Sequence, residues 1–221
     1  MINTTTKTGI IKEYLEYIDN DNFPCIAAKA ALAKSQISCL VVEQMTYPAD
    51  DQKILNFLYD FVDRYRKSAD LYHSAAIIFE QPAIINEEEF DKLMWMRLQA
   101  LSDLDGLNYK YDSRVESNPN STDFSFSLKE EAFFIIGLHP DSSRTARAFK
   151  YPALTFNPHN QFEQLRDMHK YQKMQQSVRK RELLVSGSIN PMLTNFGEAS
   201  EVYQYSGKNY DQDWKCPYEH L

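Results

Sequence analysis

Cys25 stands in a segment whose residue types suit a reactive or metal-binding thiol. The segment reads Asn22-Phe23-Pro24-Cys25-Ile26-Ala27-Ala28-Lys29-Ala30-Ala31, and Pro24 is typical of the first turn of a helix. The positive end of a helix dipole favours thiolate over thiol, so this position predicts either a nucleophile or a metal ligand. The alternative is a buried cysteine that acts as a small apolar side chain.

Two arginines three residues apart form a second candidate site. They belong to the segment Gly137-Leu138-His139-Pro140-Asp141-Ser142-Ser143-Arg144-Thr145-Ala146-Arg147. Asp141 or Ser142 is suited to cap a short helix, and that helix would carry Arg144 and Arg147 on one face. Two guanidinium groups in this arrangement can bind carboxylates or phosphates bidentately. The alternative is a solvated basic turn, since exposed charges usually contribute little.

His159 lies between a predicted strand and a predicted helix, in Phe156-Asn157-Pro158-His159. Side chains at strand ends are well placed to line a pocket, so His159 is a candidate metal ligand or proton donor. The alternative is a polar loop that caps the following helix. Cys39, in an apolar strand, is interpreted as a core residue. Cys-Pro dipeptides such as Cys216-Pro217 occur at some haem–thiolate sites, but the place near the C-terminus favours a structural role here.

Composition narrows the classes of function. The chain has 221 residues, of which 43% are hydrophobic, and a net charge of −7. This charge argues against a broad nucleic-acid surface and against an anionic membrane as partner. No apolar run approaches the length of about 18 residues that predicts a transmembrane helix, and residues 1–8 lack a signal-peptide core. The three cysteines form no CxxC pair, which predicts a reduced, cytoplasmic protein.

Several common catalytic and cofactor motifs are absent. The sequence contains no GxGxxG, no GxxxxGK[ST], no GxSxG and no HExxH, so it gives little support to a nucleotide-binding protein or a hydrolase. No flavin or nicotinamide motif is visible either, so electrons for a redox reaction would have to come from a separate protein.

Periodicity predicts the elements that position these residues. Helical spacing occurs at residues 9–19, from Pro24 onward, at 50–68, after an Asn86–Glu89 capping box, and at 161–184. Strand patterns occur at residues 37–42, 75–79, 124–128, 132–136 and 153–156, and the third and fourth of these predict an antiparallel hairpin.

The mixture of helices and strands, without strict alternation, predicts an α+β fold. We expect a single mixed domain over residues 1–221, with a small, mostly antiparallel sheet flanked by helices and with irregular segments at 1–8 and 209–221. One face of the last long helix is basic and is predicted to be a solvated surface; it carries Arg166, Lys170, Lys173, Arg179, Lys180 and Arg181.

Taken together and in this order, these segments resemble the YqcI/YcgG family. The resemblance extends from about residue 20 to about residue 218 and is specific as a set. It rests on Phe23-Pro24-Cys25 with Lys29-Ala30-Ala31-Leu32; Phe124-Ser125-Phe126-Ser127; Ala132-Phe133-Phe134 with Gly137-Leu138-His139-Pro140; Ser143-Arg144 with Ala146-Arg147; Pro152-Ala153-Leu154 with Phe156-Asn157-Pro158-His159 and Gln161-Phe162-Glu163; Asn190-Pro191-Met192-Leu193; and Gln204-Tyr205-Ser206-Gly207 with Trp214 and Cys216-Pro217.

The resemblance implies a haem-dependent N-hydroxylase that acts on guanidine groups of arginine-type amino acids. It implies haem b as the cofactor and Cys25 as the axial iron ligand, with His159 as the alternative. A thiolate ligand pushes electron density onto the iron and favours O–O cleavage. Arg144 and Arg147 would bind the haem propionates.

The implied partners are a small guanidine or amino-acid-like substrate and an external electron-donor protein, with no nucleic acid and no membrane. Glu163 and Glu201 are candidate carboxylates for the substrate cation. The hypothesis is therefore a monooxygenase that hydroxylates a guanidine or amine nitrogen. The alternatives are a haem-binding or haem-sensing protein without turnover, and a protein that binds no metal.

Overall fold

The computed structural model describes residues 6–84, 86–189, 192, 195–211 and 213–220. Its strands are β1 (Ile37–Gln44), β2 (Ser74–Gln81), β3 (Phe126–Leu128), β4 (Glu131–Leu138) and β5 (Ala153–Pro158). Its α-helices are α1 (Lys7–Asp19), α2 (Ile26–Ala33), α3 (Asp51–Lys67), α4 (Glu87–Asp105), α5 (Asn160–Asp167), α6 (Tyr171–Ser186) and α7 (Val202–Tyr205). Single turns of 3-10 helix lie at Pro48–Asp50 and Thr145–Arg147.

The five strands form one sheet in the order β1-β2-β5-β4-β3. β1 runs parallel to β2, and the other neighbouring strands are antiparallel. Parallel neighbours need a long crossover connection, and α3 forms this crossover between β1 and β2. The predicted α+β class, a single mixed domain with a small, mostly antiparallel sheet flanked by helices, is confirmed.

Helices cover both faces of this sheet, because successive residues of a strand point to opposite sides. In β4, Phe133 and Ile135 belong to the larger core, to which α3 and α4 contribute. Ile136 and Leu138 point to the other side, where they pack with residues of α1 and α2 in a smaller core. The two sides of the sheet therefore have separate cores.

The local signals in the sequence are confirmed at two turns. Asn86 caps α4, since its Oδ1 accepts a hydrogen bond from the N–H of Glu89 at 2.7 Å. The predicted hairpin is the pair of β3 and β4, in which Phe126 lies opposite Phe133. Its turn residues, Lys129 and Glu130, have φ angles of 52° and 55°, as a tight hairpin turn requires.

The single helix predicted over residues 161–184 is wrong, because the chain breaks there into α5 and α6. His169 adopts a φ of 56° just after α5. The N–H of Lys170 donates to the carbonyl of Leu165 at 2.9 Å, which is the hydrogen bond that closes a helix in a Schellman motif. The sequence at this break contains neither glycine nor proline. The helical spacing of apolar residues therefore continues through the break, with no residue that signals the end of a helix.

Smaller differences occur near the predicted sites and at the termini. The short helix expected after Asp141 or Ser142 is only the 3-10 turn Thr145–Arg147. α1 already begins at Lys7, inside the segment that was expected to be irregular. Residues 209–211 and 213–220 form no helix or strand, although Tyr218 is fully buried. Residues 1–5 and 221, and Asn190, Pro191 and Leu193 of the family-like segments, lie outside the described residues.

The helices of the described residues include none with the length and apolar character that would let it cross a membrane.

A buried ion pair joins α3, α4 and the end of β1. Arg97 and Asp51 are each only 2% exposed, and the Arg97 guanidinium bonds to the Asp51 carboxylate. The same guanidinium donates from Nε and Nη2 to the carbonyl of Met45, at 3.1 and 2.8 Å. Removing one partner of such a pair leaves a charge in the interior without compensation.

We predict that Arg97→Leu lowers the free energy of unfolding by about 3–5 kcal/mol, because Asp51 is left buried and unpaired. Urea unfolding followed by circular dichroism measures this loss. The double variant Arg97→Leu/Asp51→Leu should recover more than half of it, since no charge then stays buried. A single variant as stable as the wild type would contradict this role of the pair.

His139 lies at the end of β4 and is buried against α4. Its ring stacks on Phe90 with the centroids 4.4 Å apart. Burial lowers the pKa of His139 to about 4. The close approach of the two elements depends on Gly137, where a Cβ atom would come within 2.5 Å of Phe90 Cε1.

We predict a pH-dependent loss of stability from His139. In the unfolded chain a histidine titrates near 6.5, whereas folded His139 stays neutral down to about 4. The unfolded state therefore binds the extra proton first, and stability present above pH 6.5 is lost as the pH falls toward 4. When the pH falls from 7 to 5.5, the free energy of unfolding of the wild type, measured with urea, should decrease by about 1 kcal/mol more than that of His139→Gln. His169→Gln, on an exposed turn, should behave as the wild type; equal slopes in all three proteins would argue against the effect.

Candidate functional site

A cavity of about 250 Å³ lies between one face of the sheet and the layer of α1, α2, α5 and α6. Phe134 and Ile136 of β4 and Thr155 and Asn157 of β5 form its floor, and α6 covers it with Met174, Val178 and Glu182. Most of this lining is apolar. Among the predicted site residues, Cys25, Arg147 and His159 line the cavity together. Arg144 does not line it, but its ion-pair partner Glu182 does.

Cys25 is the N-cap residue of α2, one position before the helix begins at Ile26. Its Sγ accepts a hydrogen bond from the N–H of Ala28 at 3.5 Å. Burial raises the pKa of the Cys25 thiol and outweighs the opposite effect of the N–H groups of Ala28 and Ala27. The expected position at a helix start is confirmed, whereas burial works against the expected preference for thiolate.

The other two cysteines lie in the two cores. Cys39 packs against the smaller core on the α1–α2 side, and Cys216 packs against the larger one. Burial raises the pKa of each thiol to about 12. Both positions agree with the structural roles predicted for them.

His159 is 5% exposed and lies where β5 passes into α5. Its backbone N–H donates to the carbonyl of Ala132 at 2.7 Å, which fixes the backbone of His159 beside β4 at the end of β5. Nε2 contacts Glu163 Oε1 at 3.2 Å. A carboxylate only accepts hydrogen bonds, so Nε2 carries the hydrogen in this contact. Nδ1 has no hydrogen-bond partner among the described residues.

Two carboxylates flank this imidazole. Glu201 lines the cavity, is 5% exposed, and accepts a hydrogen bond from the Tyr205 hydroxyl at 3.2 Å. Its other oxygen, Oε1, lies 3.5 Å from His159 Nδ1. Glu163 has a more exposed side chain and forms an ion pair with Arg166. Of the two predicted carboxylates, Glu201 is therefore the one inside the cavity.

Arg144 is held by a buried ion pair. Its Nε and Nη2 donate to Glu182 Oε1 at 2.9 and 2.6 Å, and Nη2 also donates to the carbonyl of Ser188 at 2.8 Å. These bonds connect the loop after β4 to α6. A propionate at this site would have to compete with Glu182 for Arg144.

Arg147 is bound to main-chain carbonyl groups. Nη1 donates to Tyr205 at 2.7 Å and to Gly137 at 3.5 Å, and Nη2 donates to Gln204 at 2.7 Å. Burial lowers the pKa of Arg147 to about 10, which still leaves it protonated at neutral pH. Gly207 has a φ of +87°, and a Cβ atom there would meet Arg147 Cδ at 2.6 Å.

The basic face of the predicted long helix is solvated only in part. Lys170, Lys173 and Lys180 are exposed, as predicted. Arg166 lines the cavity, and Arg181 donates to the carbonyls of Asp21 and Phe23 at 2.7 and 3.2 Å. The prediction is therefore wrong for these two arginines.

A second space of about 470 Å³ adjoins the cavity. It shares His159, Arg166 and Phe196 with the cavity, and its other residues are mostly polar. The ring of Phe196 packs edge-on against His159, with the centroids 4.3 Å apart. His159 therefore lies at the junction of an apolar and a polar space.

Sequence reasoning did not single out Gln161 and Glu182, which also line the cavity. Gln161 follows His159 by two residues and was noted only within a family-like segment. Glu182 is the one acidic residue among residues 179–186, where it directly follows three basic residues. A single acidic residue in a basic segment is a signal that its side chain faces inward. Among the described residues, no group of three or more His, Cys, Asp or Glu side chains is arranged to hold a metal ion.

We predict that Cys25 reacts slowly with iodoacetamide in the ligand-free protein. The raised pKa leaves it as the thiol at pH 7.5, and only thiolate is a good nucleophile. The rate should be at least about tenfold below that of free cysteine and should rise steeply toward pH 9.5. Peptide mapping by mass spectrometry measures it at each cysteine separately. Rapid alkylation at pH 7 would show instead that the helix start does favour thiolate.

Comparison with known proteins places this architecture in a family. The uncharacterized protein YqcI of Bacillus subtilis (strain 168) is 28% identical over 211 residues, which cover 90% of this chain and 82% of that protein. No solved structure matches the chain significantly. The model of the YqcI/YcgG family matches residues 13–219, which is nearly the whole chain. The chain thus belongs to the YqcI/YcgG family.

Proposed function

We propose that the cavity binds haem b and that the loaded protein hydroxylates a guanidine or amine nitrogen of a small, arginine-like molecule. One observation carries the proposal. A buried imidazole, His159, has Nε2 oriented by Glu163, while Nδ1 accepts no hydrogen bond from the described residues and lies 3.5 Å from Glu201 Oε1, in a mostly apolar cavity that also contains Cys25. A carboxylate on the far nitrogen is the usual way in which proteins orient a metal-binding histidine.

The lining residues fit a haem at its iron and along its faces. The floor and cover of the cavity are apolar, and two residue types that ligate haem iron, Cys25 and His159, are present. The volume of about 250 Å³ lies just below the range of roughly 300–1,000 Å³ common for small-molecule sites, and the adjoining space beyond His159 extends it. Propionates would need Arg144, Arg147 or Arg166, and each of these has a partner inside the protein.

Haem would supply the oxidation of the nitrogen by O₂, with electrons from an external electron-donor protein. The protein's own contribution is binding and orientation. Glu201, buried and fixed by the Tyr205 hydroxyl, would attract a cationic nitrogen, and this attraction is stronger away from water. Phe134, Ile136 and Val178 would keep water from the reacting nitrogen.

The non-catalytic alternative, a haem-binding or haem-sensing protein, also has an observation in its favour. Cys25 and His159 line the same cavity, so two residues of the types that ligate haem iron would be available to hold the group without leaving a site for O₂. A small-molecule substrate, the absence of nucleic-acid and membrane partners, and a cytoplasmic location remain parts of the proposal.

The proposal is tested by the spectrum of the protein expressed with a haem precursor. We predict about one haem per chain in a pyridine haemochrome assay. If Cys25 is the ligand, the reduced CO complex absorbs at the position typical of thiolate ligation, and Cys25→Ala loses that band. If His159 is the ligand, His159→Ala loses the spectrum and Cys25→Ala keeps it. Cys39→Ala is the matched control. A colourless protein that also fails to take up haemin would refute haem binding.

Turnover and propionate binding are tested on the same protein. With O₂, a surrogate ferredoxin reductase system and arginine or a related guanidine, we expect a product heavier by one oxygen in mass spectrometry. A six-coordinate ferric protein that no substrate perturbs would favour the non-catalytic alternative. Arg144→Ala or Arg147→Ala should each weaken haem retention about tenfold or more if they bind the propionates. Lys12→Ala, on the exposed side of α1 and outside the cavity, is the control.

A further inference from the structure

Nearly every polar group around the cavity floor has a partner. Asn157 donates from Nδ2 to the carbonyl of Phe134 at 3.2 Å, and its Oδ1 accepts from the Ser74 hydroxyl at 3.0 Å. The hydroxyls of Thr155 and Tyr14 bond to each other at 3.2 Å. These groups are therefore already satisfied before any ligand enters.

Gln161 differs from these residues. It is 4% exposed, lines the cavity, and donates from Nε2 to the carbonyl of His73 at 3.2 Å. Its Oε1 is buried and has no hydrogen-bond partner among the described residues. Turning the amide over would place Oε1 against the His73 carbonyl, two acceptors in contact, so the bond to His73 fixes which atom is left unpaired.

A buried acceptor without a donor is costly, and native proteins rarely retain one without a reason. The group that satisfies Gln161 Oε1 must be a donor, because an amide oxygen only accepts. In the same cavity the carboxylate of Glu201 favours a positively charged ligand. The two residues together favour a ligand that carries N–H donors and positive charge.

We propose that Gln161 determines the specificity of this cavity by accepting a hydrogen bond from an N–H group of the bound ligand. This inference rests on the proposed function for its choice of a nitrogen-containing substrate. It does not depend on which residue ligates iron. Gln161 is a positioning residue for ligand nitrogen, whereas the His73 carbonyl positions Gln161.

The test uses two substitutions that separate the acceptor from the donor. Gln161→Leu removes both the acceptor and the bond to His73, whereas Gln161→Glu keeps an acceptor, loses that bond and adds a negative charge. Gln164→Leu, on the same helix but outside the cavity, is the matched control. Isothermal titration calorimetry with L-arginine, agmatine and L-norleucine is carried out on the full-length protein as purified and after loading with haemin.

We expect the wild type to bind L-arginine or agmatine more tightly than L-norleucine. Gln161→Leu should lower the affinity for the two guanidine ligands about tenfold and leave the affinity for L-norleucine unchanged, because only the guanidine N–H groups donate to the Gln161 acceptor. Gln161→Glu should bind the guanidines at least as tightly as the wild type, although it has lost the bond to His73. Gln164→Leu should match the wild type.

Three results would overturn the inference. In the first, Gln161→Leu weakens the binding of all three ligands equally. In the second, Gln161→Leu and Gln161→Glu lose the same affinity for the guanidines. In the third, the wild type binds neither guanidine. The first two would give Gln161 a structural role only. Haem uptake, measured in parallel, separates this inference from the proposed function: a wild type that takes up no haem but binds guanidines through Gln161 refutes haem binding alone.

Discussion

The buried guanidinium of Arg147 connects parts of the chain that are far apart in sequence. It donates to carbonyls of β4 and of α7, and α7 contributes Gln204 to the cavity wall. Its hydrogen-bond partners are neutral carbonyls, so these bonds and the nearby negative charge of Glu182 together offset the cost of taking the charge out of water. Gly207 allows the close approach, since any side chain there would collide with Arg147. The position of Glu201, just before α7, depends on this arrangement.

The cavity cover is held by polar contacts more than by apolar packing. Arg144 and Glu182 join α6 to the loop after β4, and Arg181 joins it to the segment before α2. α6 has only one fully buried residue, Glu182, whereas α3 and α4 bury many apolar side chains. Elements with few buried apolar contacts open at the lowest free-energy cost. A ligand can therefore displace the cover of the cavity more easily than it can displace α3 or α4.

The sequence predicts the elements well where periodicity or capping signals are strong. The strands, the hairpin, the Asn86 cap and the helix start at Cys25 follow from local chemistry, and so does the α+β class. The break between α5 and α6 could not be predicted, because His169 takes up a left-handed conformation without a glycine. Arg166 and Arg181 look like surface charges in a helical pattern. Only the tertiary structure shows that Arg166 lines the cavity and that Arg181 donates to carbonyls of the segment before α2.

Three of the four residues predicted for the site line one cavity, whereas Arg144 does not, and the protonation and partners of these residues could not be predicted. Cys25, Arg147 and His159 do meet in one cavity, since the loops that carry them lie on the same side of the sheet. Their pKa values and partners depend on how deeply each is buried, which no local pattern contains. Gln161 was not singled out for the same reason, because an unpaired amide oxygen exists only in three dimensions.

The alternation of β4 has a consequence for how this family can change during evolution. Ile135 and Ile136 are neighbours in sequence, yet the first packs in the α3–α4 core and the second lines the cavity floor on the other side of the sheet. A substitution at the second position alters the shape offered to a ligand, while the layer that supplies most of the apolar burial is untouched. Related proteins can therefore diverge in what they bind without first acquiring compensating mutations, because ligand choice and fold maintenance are encoded in alternate residues of the same strand.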